Sequence, residues 1–453
     1  MDQRVEALAA RAALRYLDGL EDRPVAPSPD ALARLPELGG PLPDDPTPDD
    51  EVLRLLEEVA GPATVGSAGG RYFGFVIGTS LPAARAASWL ASAWDQNAGL
   101  VVASPAAAAL EDIAGGWLLD VLGLPAGSGV GFVTGATAGN LVGLATARHA
   151  LLAGQGWDVE EAGLFGAPPL TIVVGDEVHV SVLKALAVLG LGRSRVVRVP
   201  VDDHGRMRAD RLPPLDDRTI LCLQAGNVNT GASDPFPELS PLARAAGAWV
   251  HVDGAFGLWL AAAPDRAHLV AGVGDADSWS SDGHKWLNVP YDSGLAICCD
   301  PAPMVAAMST SAAYLQAAGR PEPYQFTPEI SRRARGIEVW AALRSLGRSG
   351  VAELVERCCR LATRFAAGLD AAGHDVLDDV VANQVLVAFG DDDTTRLVIA
   401  AVQADGTCWC GPTVWQGRTA MRISVSSSAT TDDDVDRSLD AIVRLAADVT
   451  ASR

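Results

Sequence analysis

The chain has 453 residues, 49% of them apolar and 20% charged. That is a globular composition, long enough for about three domains, and it excludes a mainly disordered chain. Thirty-five Lys and Arg against 56 Asp and Glu leave a formal charge of −21, which argues against nucleic-acid and anionic-membrane partners.

Residues 1–22 carry Val5, Leu8, Ala9, Ala12 and Tyr16 at helical spacing. They lack the apolar core of a signal peptide, and no apolar run reaches the roughly 18–20 residues that span a bilayer. The chain therefore reads as cytoplasmic. Arg23 to Asp50 holds eight prolines and reads as an extended arm, followed by a helix over Glu51 to Ala60. Residues 1–60 cannot bury much surface alone and are expected to pack on the main domain or, by preference, to interlock with a second copy.

From 61 to 335 apolar runs alternate with helix-sized segments. Strands are expected at Gly129–Val133, Leu170–Val174, Arg195–Val199, Thr219–Leu223, Ala248–Val252, Ser278–Ser280 and Gly294–Cys298, with helices such as Ala138–Leu152 and Val180–Leu189 between them. Strand, crossover helix, strand predicts an α/β domain with a mostly parallel sheet covered on both faces. From 336 to 453, helices at Ile337–Ser345 and Val351–Ala372 lead to a strand at Gln384–Phe389. A helix at Thr394–Ala404, a strand at Thr419–Val425 and a helix at Asp432–Ala446 follow, which makes a smaller α+β domain. The seven cysteines contain no CxxC pair, so reduced thiols are expected rather than disulfides or a metal site.

Four strings after these strands can carry chemistry. Thr134-Gly135-Ala136-Thr137-Ala138-Gly139-Asn140-Leu141 runs from a strand into a helix, where small residues and the helix N-terminus suit an anion. It is neither a Walker loop nor a GxGxxG turn. Asp176-Glu177-Val178-His179-Val180-Ser181 offers an imidazole that could stack on a planar ligand. Trp249-Val250-His251-Val252-Asp253-Gly254-Ala255-Phe256 ends a strand in a carboxylate, on the edge that faces the ligand crevice of open α/β sheets. Ser281-Asp282-Gly283-His284-Lys285-Trp286 puts a lysine between aromatic neighbours, where lost hydration favours the free amine and imine formation. Singly, each has a plainer explanation: a tight turn, a structural histidine, a helix N-cap and a snorkelling lysine.

Taken in this order, the four strings resemble those of pyridoxal-phosphate enzymes with the aspartate-aminotransferase fold (fold type I). In particular the chain is similar to the group II amino-acid decarboxylases, from Arg71-Tyr72-Phe73-Gly74-Phe75 to the last helix. The resemblance implies decarboxylation of an L-amino acid to its amine and CO2 with pyridoxal 5′-phosphate. Lys285 would hold the cofactor covalently, Asp253 would keep its ring nitrogen protonated, and His179 would stack on the ring. Ala136 and Thr137 would bind the phosphate, Ala255 would pack under the ring, and His284 lies beside the lysine. Asp282 falls where relatives often place an asparagine near the phosphate, a repulsive substitution.

The resemblance also implies a tyrosine on a mobile loop (310–327) that protonates the substrate carbon. Tyr324 is preferred and Tyr314 is the alternative; relatives with Phe here tend towards aldehyde formation. Arg422 resembles an arginine that meets the substrate carboxylate. Phe75-Val76-Ile77-Gly78-Thr79 stands where the substrate side chain is expected. It departs from the more aromatic string of aromatic amino-acid decarboxylases, and Gly226–Gly231 replaces a threonine-rich loop. Such a pocket suits an aromatic or apolar side chain. Asn140 and Asn97 are further polar groups with no ranked role. The resemblance implies a homodimer. The alternatives are another pyridoxal-phosphate carbon–carbon lyase or aldehyde synthase on this scaffold, or a cofactor-binding protein without turnover.

Overall fold

The computed structural model describes residues 3–310 and 321–452. The chain forms two compact units. The larger is Ser80–Arg360 with Asp378–Gln384; the smaller joins Met1–Thr79, Leu361–Leu377 and Val385–Arg453.

The larger unit is built on seven strands: β1 (Gly129–Val133), β2 (Thr171–Gly175), β3 (Val197–Val199), β4 (Thr219–Gln224), β5 (Trp249–Asp253), β6 (Ser278–Asp282) and β7 (Gly294–Cys298). Their order is β1-β7-β6-β5-β4-β2-β3. β7 pairs antiparallel with both β1 and β6, and every other pair is parallel. Reversing twice through β7 leaves β1 running with β6, so six carboxyl ends share one edge. β6 and β7 are buried at every position, as expected of strands covered on both faces. Three of the seven strands therefore stand in antiparallel pairs, a detail that apolar runs do not encode.

The helix Ala136–Gly154 lies against β5, β6 and β7 through small residues. A Cβ on Gly139 would sit 2.4 Å from the Leu295 carbonyl oxygen, and one on Gly143 would sit 2.5 Å from His251 Cε1. Any side chain at either position forces the helix off the sheet. Leu144, Ala147 and Leu151 continue this face into a core with Ile172, Val174, Leu186 and Ile220. Each large aliphatic side chain buried there contributes about 1.5–3 kcal/mol. Helices Pro82–Trp94 and Pro105–Val121, absent from the sequence expectation, each start with a proline in the first turn.

The smaller unit contains a four-stranded sheet of β8 (Asp375–Val376), β9 (Gln384–Ala388), β10 (Gly411–Trp415) and β11 (Arg418–Ser424), in the order β10-β11-β9-β8. Gln416 and Gly417 close the β10–β11 hairpin with φ of 48° and 82°, the left-handed pair that a two-residue hairpin turn needs. The helical stretch Gly336–Ala371 is interrupted at Gly347 (φ 62°), which accounts for the two helical patterns read there. The N-terminal segment is not a free arm. Val25 N–H donates to the Gly406 carbonyl (2.8 Å), and buried Arg71 donates to the Glu21 and Thr407 carbonyls (2.6 and 2.5 Å). Among the described residues no helix is long and apolar enough to cross a membrane.

Candidate active site

The shared carboxyl edge gathers the four strings. β1 leads to Thr134–Thr137, β2 to His179, β5 ends at Asp253, and β6 ends at Asp282, three residues before Lys285.

At the carboxyl end of β6 the side chains are ionisable. The Asp282 carboxylate is 3% exposed. Its Oδ1 accepts the Ala136 N–H at the first turn of the helix (2.5 Å), and its Oδ2 lies 3.1 Å from Lys285 Nζ. His284 Nε2 is 3.5 Å from Oδ1. A carboxylate at a helix N-terminus is favoured by the helix dipole, and the ammonium adds to that. The His284 ring stacks on Tyr291 (4.2 Å between centroids), accepts the Ser293 N–H at Nδ1 (3.3 Å), and has its pKa lowered by burial. The loop is tight: a Cβ on Gly135 would meet His284 and Asp282 at 3.2 and 3.3 Å. Thr137 lies exposed one residue into the helix.

At the carboxyl end of the neighbouring strand β5 the groups around the carboxylate are neutral. Asp253 Oδ2 accepts from Asn140 Nδ2 and Ser181 Oγ, both at 3.1 Å, and Oδ1 accepts the Ala255 N–H (3.2 Å). His179 caps the helix Val180–Val188 and places Nδ1 2.7 Å from Ser181 Oγ. Asn140 Oδ1 accepts from Ser280 Oγ (2.6 Å) and faces His251 Nε2 (2.9 Å). Next to Asp253, Ala225 N–H donates to the Asp253 carbonyl (2.9 Å), and two residues on, the buried Asn227 Nδ2 has no hydrogen-bond partner among the described residues.

Sequence reasoning left Ser181, His251, Ser280 and Asn227 without a role and did not rank Asn140. Signals for two of them exist. His251 shares a strand face with Asp253 at i, i+2. Asn140 shares a helix face with Ala136 at i, i+4 and is a poor helix former in an apolar run. Asn97 bonds to Ser331 Oγ and the Arg332 N–H (3.2 and 3.1 Å).

Tyr324 is not on an open loop. It sits in a 3-10 turn, Pro323–Phe326, is 6% exposed, and directs its hydroxyl to the Thr310 carbonyl (3.4 Å). Glu322 and Gln325 close that turn as a capping box, and Glu322 Oε2 also accepts the Val101 N–H (2.7 Å). Tyr314 and much of the expected 310–327 loop lie outside the described residues. Phe75, Val76 and Arg422 belong to the smaller unit. Phe75 and Val76 take left-handed φ values of 54° and 56°, strained for bulky residues. Val76 is buried, whereas Phe75 is 61% exposed and stacks on Trp409 (5.3 Å), which also stacks on Tyr72 (5.2 Å). Burial lowers the pKa of Arg422. Among the described residues no cluster of His, Cys, Asp and Glu could hold a metal.

The donor set fits a planar aldehyde cofactor with a phosphate. It offers a half-buried amine, a strand-end carboxylate for a ring nitrogen, an imidazole, helix N-terminal amides and an unpartnered buried amide. These features define a fold-type-I site for pyridoxal phosphate. A family model described as the pyridoxal-dependent decarboxylase conserved domain matches residues 42–390, and the chain belongs to that family. It is 27% identical over 455 residues to Tryptophan decarboxylase 1 of Oryza sativa subsp. japonica, covering 91% of this chain and 87% of that one. It is 29% identical over 383 residues to L-2,4-diaminobutyrate decarboxylase of Rhizobium meliloti (strain 1021), covering 79% and 74%. A crystal structure of Oryza sativa TDC with PLP and tryptamine superposes with a TM-score of 0.90 at 23% identity, covering 99% of this chain and 98% of that one. The protein is thus a pyridoxal-phosphate-dependent amino-acid carboxy-lyase.

Proposed function

We propose that the substrate is an L-amino acid with an aromatic or apolar side chain, decarboxylated by a cytoplasmic homodimer. The observation that carries the catalytic assignment is the common sheet edge: Lys285, Asp253 and His179 follow β6, β5 and β2. Bound there, pyridoxal 5′-phosphate supplies a conjugated ring that accepts electrons. Lys285 would hold it through Nζ, Asp253 would keep its ring nitrogen protonated, and His179 would pack on its ring. Ala136, Thr137 and Ala255 would hold the phosphate and ring, with His284 and Asp282 beside the lysine. Arg422 receives the substrate carboxylate on its fork. Tyr324 delivers a proton to Cα, for which its turn must release the hydroxyl from Thr310.

The exposed ring of Phe75, backed by Trp409 and Tyr72, supports an aromatic side chain, as does the tryptophan decarboxylase relative. Trp89, Leu90 and Trp94 stand exposed on one helix of the larger unit, an apolar face suited to a second copy. The described cysteines are all free thiols, in keeping with a reducing compartment.

The test is CO2 release by purified, cofactor-loaded protein from each proteinogenic amino acid, 2,4-diaminobutyrate and ornithine, with products identified. CO2 and the matching amine are expected from tryptophan, tyrosine or phenylalanine. Turnover confined to diaminobutyrate or ornithine overturns the substrate class. In Tyr324→Phe, with dissolved O2 as the oxidant and water as co-reactant, products should shift from amine towards aldehyde, ammonia and peroxide; an unchanged ratio removes Tyr324 from the mechanism. Light scattering at micromolar concentration should give a dimer mass, and a monomer refutes that assignment.

A further inference from the structure

Asn140 is completely buried and bridges two of the four strings. Its amide Nδ2 donates to Asp253 Oδ2 and to Ser181 Oγ, both at 3.1 Å. Its Oδ1 accepts from Ser280 Oγ at 2.6 Å and faces His251 Nε2 at 2.9 Å. The direction of this bridge is forced. A carboxylate only accepts, so the amide must turn its nitrogen to Asp253 and its oxygen to His251. His251 Nε2 then carries a hydrogen. His251 Nδ1 is left to accept from Ser278 Oγ (2.9 Å), whose oxygen accepts the Trp249 Nε1–H (2.9 Å). Burial pulls the His251 pKa down to about 4, so near neutral pH this ring acts as a dipole.

The consequence falls on Asp253. Two donors occupy Oδ2, and Oδ1 has one, the Ala255 N–H (3.2 Å). Oδ1 is the oxygen left with a lone pair for a ring N–H. With Asn140 gone, only Ser181 holds Oδ2 and the carboxylate can rotate.

We propose that Asn140 is a positioning residue: it fixes which oxygen of Asp253 meets the cofactor's ring nitrogen, and His251 and Ser280 hold the amide in place from behind. This rests on the role proposed for Asp253.

The test uses the holoenzyme and a double-mutant cycle. Asn140→Ala should lower kcat about ten- to a hundred-fold, the worth of a hydrogen bond to a charged group. KM should change less than about three-fold, and the pH dependence of the bound cofactor's absorption band should shift. Asn140→Ser, which returns a hydroxyl donor, should recover part of both. In an Asp253→Asn background, Asn140→Ala should cost less than about a further two-fold, because its target is already gone. Full multiplication of the two losses, or a wild-type spectrum and kcat in Asn140→Ala, overturns the inference while Asp253 keeps its role. A wild-type rate in Asp253→Asn overturns both. If Asn140→Ala does not fold, Ser280→Ala removes one donor to the amide oxygen and should lower kcat about three-fold with the same spectral shift; no change in either overturns the proposal.

Discussion

The carboxyl ends of β6 and β5, neighbours in the sheet, solve opposite problems. At the Lys285 end, His284 and Lys285 both lie within 3.5 Å of Asp282, and the anion they compensate is partly their own. At the Asp253 end, one carboxylate is surrounded by an amide, a hydroxyl and a backbone N–H, with a buried neutral imidazole behind them. The first arrangement can rearrange as charge arrives, because the lysine side chain is 17% exposed and flexible. The second is held more firmly, because the fully buried Asn140 amide on one oxygen and the Ala255 N–H on the other fix the carboxylate. Chemistry that exchanges a covalent partner needs the former, and a fixed protonation state needs the latter.

The comparison breaks most completely at its charged end. On the role proposed for Lys285, Lys285→Ala should lower decarboxylation roughly a thousand-fold or more, since it removes the amine on which that role depends. Borohydride treatment of the cofactor-loaded wild type should add the reduced cofactor's mass to the peptide containing Lys285. Loss of activity without any trappable adduct on the wild-type lysine contradicts the assignment.

At the neutral end the expected effect is on stability. The folded-state pKa of His251 is about 4 against an ordinary value of 6.5, with burial as the cause and the Asp253 charge opposing it. The folded protein holds the ring neutral while the unfolded chain protonates it. Below about pH 6.5 the unfolded state therefore gains protons, and stability falls until about pH 4. The contribution is about 3 kcal/mol. Asp234 works the other way: burial raises its pKa to about 6 from 3.8, so its penalty is relieved over nearly the same window as pH falls. The wild-type curve thus conceals both. The difference between His251→Gln and wild type isolates the histidine. Whatever the variant costs at pH 7, that cost should shrink by pH 4.5, measured by denaturant unfolding at both values. A cost independent of pH means that His251 is not held neutral by burial.

How much of this was legible depends on where the information lies. β1 and β7 match the expected strands residue for residue, because Gly129–Val133 and Gly294–Cys298 are short apolar runs that begin at a glycine. Lys285 and Asp253 were legible because each follows such a run closely. The antiparallel course of β7 was not, since a buried run reads the same in either direction. The bridge through Asn140 was not, because its partners lie 41 to 140 residues away and a single buried polar residue has no local signature. Tyr324 misled for a related reason. It was expected on a mobile loop over 310–327, yet the Glu322–Gln325 capping box satisfies the turn's polar groups and lets it pack.

Asp282 sharpens the contrast at the smallest scale. Its position was legible, but its contacts were not: its carboxylate takes the Ala136 N–H, a donor that the anion loop was expected to offer to a phosphate. Two anions competing for one helix N-terminus repel by about 1–4 kcal/mol at contact distances and moderate screening. Against this stands the attraction of Asp282 for Lys285 Nζ at 3.1 Å, which holds the amine near the loop. Asp282→Asn removes the repulsion and still leaves an acceptor for the Ala136 N–H, adding an amide donor that a phosphate can use. The balance favours the variant for binding, by about ten-fold in the dissociation constant, the equivalent of about 1.4 kcal/mol. Titration of the cofactor-free variant and wild type with pyridoxal phosphate, read by absorbance, measures it. Weaker binding in Asp282→Asn means that the ion pair with Lys285 outweighs the repulsion, and that this end of the site is organised by its lysine rather than by its anion loop.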